Sequence, residues 1–504
     1  MKARGSRRPG FGIRSPEGRG LCRITALLIM IFMAALIHVR AQDTDSGFGD
    51  GEGFGFGAEA APAGNRGAVK ISGEVSAELQ FFTGDAGSSS ELENAELGDL
   101  FSGKLNFSAS SSAADAVINL KLRPAVEGNT LGSFWNSSPV AIDEAYVRAY
   151  FGPLDVEGGL RKLTWGRADS FGPLDVVNPI DYSDLSSMAE PRFVKIARPM
   201  VHITWRTGDF SRLEGVFVPW FQGNEYALKG RWTPSQISGM APSITAYIPS
   251  QLLPSLSSLS PLLDTLIPDS YSSTRSGLKY AQGGLRYSAT AGSSDFGVQY
   301  YFGRLPRPAY TVRLDTLLAG IMAAAPNPGD IINIDYNYYH HIGADFARVI
   351  RGFNVRSELG ANITGDLDGG DGEVYNPSLV WSLGFDRDLG WGINLNLQGN
   401  GSVMLMHDKI GDNPLADTEA DRDLSSTRIT AILSKKFLQD ELELKTTALW
   451  GIEDKDFLIM PAVAWTRNSV GVELSAGFFG GSPGGELGQY RDNHYVKTML
   501  TYSF

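Results

Sequence analysis

The chain has 504 residues, 59 of them glycine, with 11% aromatic residues and a formal net charge of −12. That length would hold roughly two to four soluble domains, yet no linker or long helical period divides the sequence after residue 67. The acidic balance argues against nucleic acid as a partner, and the glycine and aromatic content suits many strands with tight turns better than α/β layers.

Residues 1–41 read as a signal peptide. Lys2, Arg4, Arg7, Arg8, Arg14, Arg19 and Arg23 form a positive n-region, and Ile24 to Ile37 form an apolar h-region. Val39-Arg40-Ala41 places small residues where cleavage after Ala41 requires them. An uncleaved anchor is the other reading, but the apolar run is short for a bilayer of roughly 30 Å. Cys22, the only cysteine, precedes the h-region, so it is not placed as a lipoprotein cysteine would be. The signal holds 8 of 44 Lys+Arg and 1 of 56 Asp+Glu, so the processed chain carries 36 − 55 = −19.

Residues 42–67 are acidic and glycine-rich, as in Gly47-Phe48-Gly49-Asp50-Gly51-Glu52, and read as a disordered tail or, alternatively, a binding segment. Residues 68–504 then read as one barrel. Val69, Ile71, Val75, Ala77, Leu79 and Phe81 alternate with Lys70, Ser72, Glu74, Ser76, Glu78 and Gln80. A period of two puts the rows on opposite faces of a strand. The pattern recurs, for example with Trp391, Ile393, Leu395 and Leu397 against Asn394, Asn396, Gln398 and Asn400. A soluble sandwich would alternate in the same way, so the connections have to decide.

Eighteen strands are predicted, at 68–82, 100–110, 115–123, 141–151, 154–165, 199–207, 211–221, 279–291, 295–308, 332–349, 352–364, 375–387, 390–406, 425–438, 441–452, 455–466, 469–480 and 494–504, with sixteen as the alternative count. Every second connection is tight, as at Gly152-Pro153, Arg351-Gly352 and Asn468. Most of the others are long, notably 166–198 and 222–278. Short turns on one side and long loops on the other indicate an all-β fold, a transmembrane antiparallel β-barrel with short periplasmic turns and long extracellular loops. The link near Glu453-Asp454 is short where a long loop is expected. Phe151, Trp205, Phe385, Trp391, Phe437, Trp465 and Phe504 collect at one end of the outward rows, as an interfacial aromatic girdle does. At the end of the sequence Val496, Leu500, Tyr502 and Phe504 alternate with polar residues. This resembles the signal that the barrel assembly machinery recognises, and Tyr502 and Phe504 are its candidate residues.

Residues 157–220 carry the most motif-like stretch: Gly159-Leu160-Arg161-Lys162, Trp165-Gly166-Arg167-Ala168-Asp169, Val177-Asn178-Pro179-Ile180-Asp181 and Arg198-Pro199-Met200-Val201. It resembles a family of porin-like outer-membrane barrels of diderm bacteria known only as a domain of unknown function. The resemblance implies fold and location, and no substrate or catalytic residues.

The loop 166–198 is the candidate pore constriction, through Arg167, Asp169, Asp175, Asn178 and Asp181; a packed surface loop is the other reading. Asn before proline and the Asn and Asp residues favour bends there. The hexapeptide Phe-Gly-Pro-Leu-Asp-Val occurs at both 151–156 and 171–176. Candidate lumen-wall residues are Glu78, Lys104, Arg148, Arg161, Arg206, Arg356 and Glu358, which read either as a field that orients solutes or as structural ion pairs. Residues 249–268, rich in Leu, Ser and Pro, suggest a helix pair that gates an apolar ligand or simply packs in a loop. His341 shares an inward row with Asp335, Asn337, Tyr339 and Asp345, but no nucleophile motif or metal spacing marks an enzyme.

No catalytic residue, cofactor or metal is therefore expected. The partners expected are outer-membrane lipid, the assembly machinery and an unidentified small solute. The function expected is a porin-like channel for passive or facilitated diffusion. The alternative is a surface-structural or adhesive barrel that binds partners through its long loops. Eighteen tilted strands enclose a lumen on the order of 20 Å across, so selectivity would require something to narrow it.

Overall fold

In a computed structural model of the chain, the described residues are 69–83, 95–96, 102–122, 140–188, 194–247, 271–313, 315–316, 319, 331–420 and 422–504. The signal-peptide and tail readings lie outside them, as does the Leu/Ser/Pro-rich stretch 249–268.

The main sheet contains nineteen strands, one of which is the two-residue Ala95–Glu96 that pairs with the first strand. The other eighteen make the barrel. They are β1 (Val69–Phe82), β2 (Ser102–Ser110), β3 (Ala114–Leu122), β4 (Val140–Phe151), β5 (Leu154–Arg161), β6 (Arg198–Gly208), β7 (Ser211–Val218), β8 (Gln282–Ala291) and β9 (Ser294–Arg304). The circle continues with β10 (Tyr338–Ile350), β11 (Phe353–Thr364), β12 (Ser378–Asp388), β13 (Ile393–Met404), β14 (Ser425–Phe437), β15 (Leu442–Gly451), β16 (Asp456–Arg467), β17 (Val470–Gly481) and β18 (Tyr495–Ser503). Each pairs antiparallel with its neighbours in sequence, and β1 pairs with β18 from Glu74↔Ser503 to Phe82↔Tyr495, so the sheet closes. Closure removes both edges, and every strand's backbone finds a partner on each side.

The tight connections share one rim and use residues that tolerate left-handed backbone. Gly152 has φ 64°, Arg351 and Gly352 have 53° and 83°, and Asn468 has 54°. The opposite rim carries the long connections. In its outer layer Ala309–Val312 pairs with Ile332–Asp335, and helices run over Ser235–Ser238 and Met240–Tyr247. Several predicted strands overran their ends. The stretch 154–165 stops at Arg161 because the Asn178 side chain takes the Leu163 N–H at 2.7 Å and so draws the chain out of the sheet. Residues 305–308 and 332–337 belong to the outer layer, and 219–221 leaves β7 for a short pairing of Phe221 with Arg275.

Outward rows are apolar and exposed, as with Ile71, Leu359 and Leu383. The seven girdle aromatics all lie near the short-turn rim, and Trp391, in a turn, is 90% exposed. A second outward aromatic set lies near the long-loop rim: Phe302 stacks on Tyr338 at 5.8 Å, and Trp450 pairs across strands with Phe457. Inward, three apolar clusters form. One joins Phe82, Leu458 and Phe479 of the wall to Leu185, Trp232 and Tyr490 of the loops. Another gathers Trp165, Val177, Met200 and Tyr301. The third packs the outer layer around Ile244 and Ile331.

Candidate functional site

After Arg161 the chain turns into the barrel. Asn178 ties the base of this loop by donating to the Arg161 carbonyl at 3.0 Å and the Ile196 carbonyl at 2.8 Å. Arg198 donates to the Val177 carbonyl at 2.8 Å. Trp165 enters first; its indole N–H reaches Glu214 of β7 at 3.1 Å, and its ring meets Tyr301 edge-on.

Gly166 follows, at φ 90°, where a Cβ would overlap Glu358 of β11. This close approach lets one carboxylate collect three backbone donors. Glu358 accepts from Arg167 N, from Ala168 N at 2.8 Å and from Leu174 N at 3.3 Å. Carboxylates bound in this way are well satisfied away from water. Arg167 donates through Nε to Asp345 of β10 at 2.6 Å, and Arg286 of β8 takes the second oxygen of Asp345 at 2.6 Å. Asp169 accepts from Asn396 at 2.7 Å and Arg356 at 2.5 Å, and Arg356 also pairs with Asp386. Gln398 of β13 accepts from Asp169 N at 2.8 Å and donates to the Ser170 carbonyl at 2.6 Å. Gln299 of β9 donates to the Leu174 carbonyl at 2.7 Å. The loop is thus gripped by inward side chains of β7, β9, β10, β11 and β13.

Arg167 and Asp169 therefore dock on the same stretch of wall, but the other three loop candidates do not join them. Asn178 is at the base, and Asp181 belongs to a short parallel pairing with Glu225 in the outer layer. Asp175 pairs with Lys195 at 2.5 Å; burial raises its pKa against the opposing pull of that lysine. Among the wall candidates, Arg356 and Glu358 are buried under the loop and do not line open space. Arg206 is on the inward row at the short-turn rim, paired with Asp155 at 2.7 Å. Arg148 and Arg161 both hold the buried Glu157, which also meets His202 at 3.0 Å. Lys104 pairs with Glu74 at 3.3 Å, and Lys497 with Glu78 at 3.6 Å. Each of these is an ion pair on the inward wall. His341 is fully buried and its Nδ1 meets Asn362 at 2.8 Å; among the described residues no hydroxyl bonds it.

Above the loop lies a cavity of about 410 Å³ that sequence reading missed. Segments from six connections and the inward Ser402 and Ser426 of β13 and β14 bound it. Tyr182 and Tyr226 stack at 5.6 Å on one side. On another, the Tyr375 ring has the Arg307 guanidinium 3.9 Å and the Arg422 guanidinium 5.4 Å from its centroid. Burial lowers the Arg307 pKa, and the neighbouring Arg422 charge adds to this. Glu486 pairs with Arg428 at 2.6 Å, and that charge holds its carboxyl below the usual range.

No protein-family model matches the chain, and no curated protein does. Solved β-barrel structures align with most of the chain at low identity. OccK11 (OpdR) of Pseudomonas aeruginosa is 9% identical with a TM-score of 0.46, covering 87% of this chain and 97% of that one. A BenF-like porin of Pseudomonas fluorescens Pf-5 is 10% identical with a TM-score of 0.45, covering 86% and 97%. Wzi, a carbohydrate-binding β-barrel of Escherichia coli, is 11% identical with a TM-score of 0.42, covering 86% and 84%. The chain is a closed antiparallel β-barrel of eighteen strands, and the strand pairing is what establishes that.

Proposed function

We propose that the protein is an outer-membrane channel for small solutes, with the loop between β5 and β6 as its constriction. The observation that carries this reading is the uneven wetting of the inward wall. Where the loop docks, the inward residues Glu214, Asp345, Glu358 and Gln398 are buried. Away from it, inward side chains keep contact with solvent: Lys104 is 37% exposed, Arg148 33% and Glu74 29%. The cavity at the long-loop rim reaches inward serines of β13 and β14, two strands at the edge of the docked region. A route for solute would run from that cavity along the wetter wall. The exposed apolar outward rows, bounded by aromatics at both rims, support a lipid setting for the barrel. The stretch 157–220 would then be the part of the porin-like family of unknown function that builds the constriction.

The test is conductance of the purified, refolded protein in a planar bilayer. Discrete steps smaller than an unobstructed eighteen-strand lumen would give are expected. A folded barrel that never conducts would sink the proposal and favour a surface-structural or adhesive role.

A further inference from the structure

The cavity at the long-loop rim has charged residues that the docked loop does not use. The charged residues that line it are Arg307, Arg422 and Glu486. Glu486 is committed to Arg428 at 2.6 Å. Arg307 has one carboxylate in reach, Glu419 at 3.9 Å, and that carboxylate is itself buried and accepts the Asn376 N–H at 2.6 Å. Arg422 is exposed, and among the described residues no carboxylate lies within ion-pair distance of it. Among the described lining residues, two guanidiniums therefore face a space whose one acid, Glu486, is already paired with Arg428, in a chain that is acidic as a whole.

The two cations are also held in place. Both flank the Tyr375 ring, whose hydroxyl donates to the Pro308 carbonyl at 2.7 Å. Contact of this kind orients a guanidinium while leaving its N–H edge free. That edge matches a carboxylate in two-point fashion. The rest of the lining is mixed, with the stacked Tyr182 and Tyr226, Tyr310, and the apolar Ile237, Met240 and Ile334. The volume of about 410 Å³ lies within the range of small-molecule sites, which span roughly 300–1,000 Å³.

We propose that this cavity binds a compact organic carboxylate, its charge on Arg422 and Arg307 and its flat or aromatic body against the tyrosines and aliphatic side chains. The proposal deepens the channel reading by naming a solute class, and it rests on that reading only for passage of the solute through the barrel.

The test is calorimetric titration of the full-length protein, refolded in detergent, with sodium benzoate, with its neutral isostere benzamide and with inorganic phosphate. Saturable benzoate binding is expected, at least tenfold tighter than benzamide or phosphate. Arg422→Ala should weaken benzoate at least tenfold and Arg422→Lys less, both in barrels that remain heat-modifiable. Arg422 is exposed, so these variants keep the test readable if Arg307→Ala disturbs packing on Tyr375. Equal binding of benzoate and benzamide, an unchanged affinity in Arg422→Ala, or no benzoate binding would overturn the assignment. Phosphate binding as tight as benzoate would overturn the part played by the apolar wall. Conductance without benzoate binding removes this inference alone; benzoate binding without conductance removes the channel reading and leaves the site standing.

Discussion

Leu174, with no exposed surface, seats its side chain where Gly343 of β10 lacks a Cβ. Gly360 of β11 lies directly across from Gly343 in the sheet and completes the notch. A side chain added at Gly343 would occupy the space Leu174 fills. Gly343→Val is therefore expected to expel the loop while both strands stay paired. Overpacking of this kind costs about 1–3 kcal/mol. The variant should remain heat-modifiable and show larger single-channel conductance than the parent. An assembled variant with unchanged conductance would mean that the loop does not narrow the route.

Gly73 and Phe504 close the barrel at its seam. Each donates its N–H to the other's carbonyl at 2.9 Å, and the Phe504 ring covers Gly73 so closely that a Cβ there would lie 2.5 Å from it. Tyr502 stacks beside the ring at 6.4 Å. Phe504→Ser and Gly73→Val should each reduce the fraction of protein that migrates faster before boiling than after it. Wild-type fractions for both would separate this contact from assembly.

Outward and inward faces are testable by charge. Leu383 is outward at the middle of β12, whereas Leu395 lies near the short-turn rim of β13. Lysine at a lipid-facing midplane site costs roughly 2–4 kcal/mol and near the interface roughly 0–1. Denaturant midpoints in vesicles should fall clearly for Leu383→Lys and little for Leu395→Lys. Asn396→Lys should also be tolerated by the lipid, since Asn396 faces the lumen and reaches Asp169. A larger loss for Asn396→Lys than for Leu383→Lys would contradict the facing described here.

Glu486 links its loop to Arg428, and that charge depresses its pKa. A depressed acid contributes stability that is complete above its unfolded value of about 4.3 and is lost as pH falls through the lower folded value. Limited proteolysis of the long-loop rim should thus be slower in the parent than in Arg428→Gln at neutral pH. The difference should shrink as the pH falls below the carboxylate range. A difference that persists unchanged in acid would assign the contact no electrostatic part.

Strands and turns were legible because they are local. Alternation carries the facing of each strand, and Gly152, Gly352 and Asn468 carry the turns. The largest error, a strand begun at residue 332 where β10 begins at Tyr338, arose because Ile332–Asp335 is also extended, though paired elsewhere. The site was legible only in part. Length and the Asn178-Pro179 bend pointed to the loop 166–198, but nothing local says that Glu358 would collect its backbone N–H groups or that Gly343 and Gly360 would receive Leu174. Two inward glycines at facing positions were the available signal. The cavity was invisible because Arg307, Tyr375, Arg422 and Glu486 come from four different loops.

The bonds that hold the inward loop to the wall join residues 49 to 230 positions apart, most of them more than 100. Contacts of such long range form late, since chain closure must precede them. None of the grips from β9 to β13 exists until those strands have zipped into the sheet. A newly closed barrel therefore passes through a stage in which its interior is hydrated and the loop hangs free. Seating of Leu174 against Gly343 is then the step that covers Asp345, Glu358 and Gln398 inside a cylinder already closed.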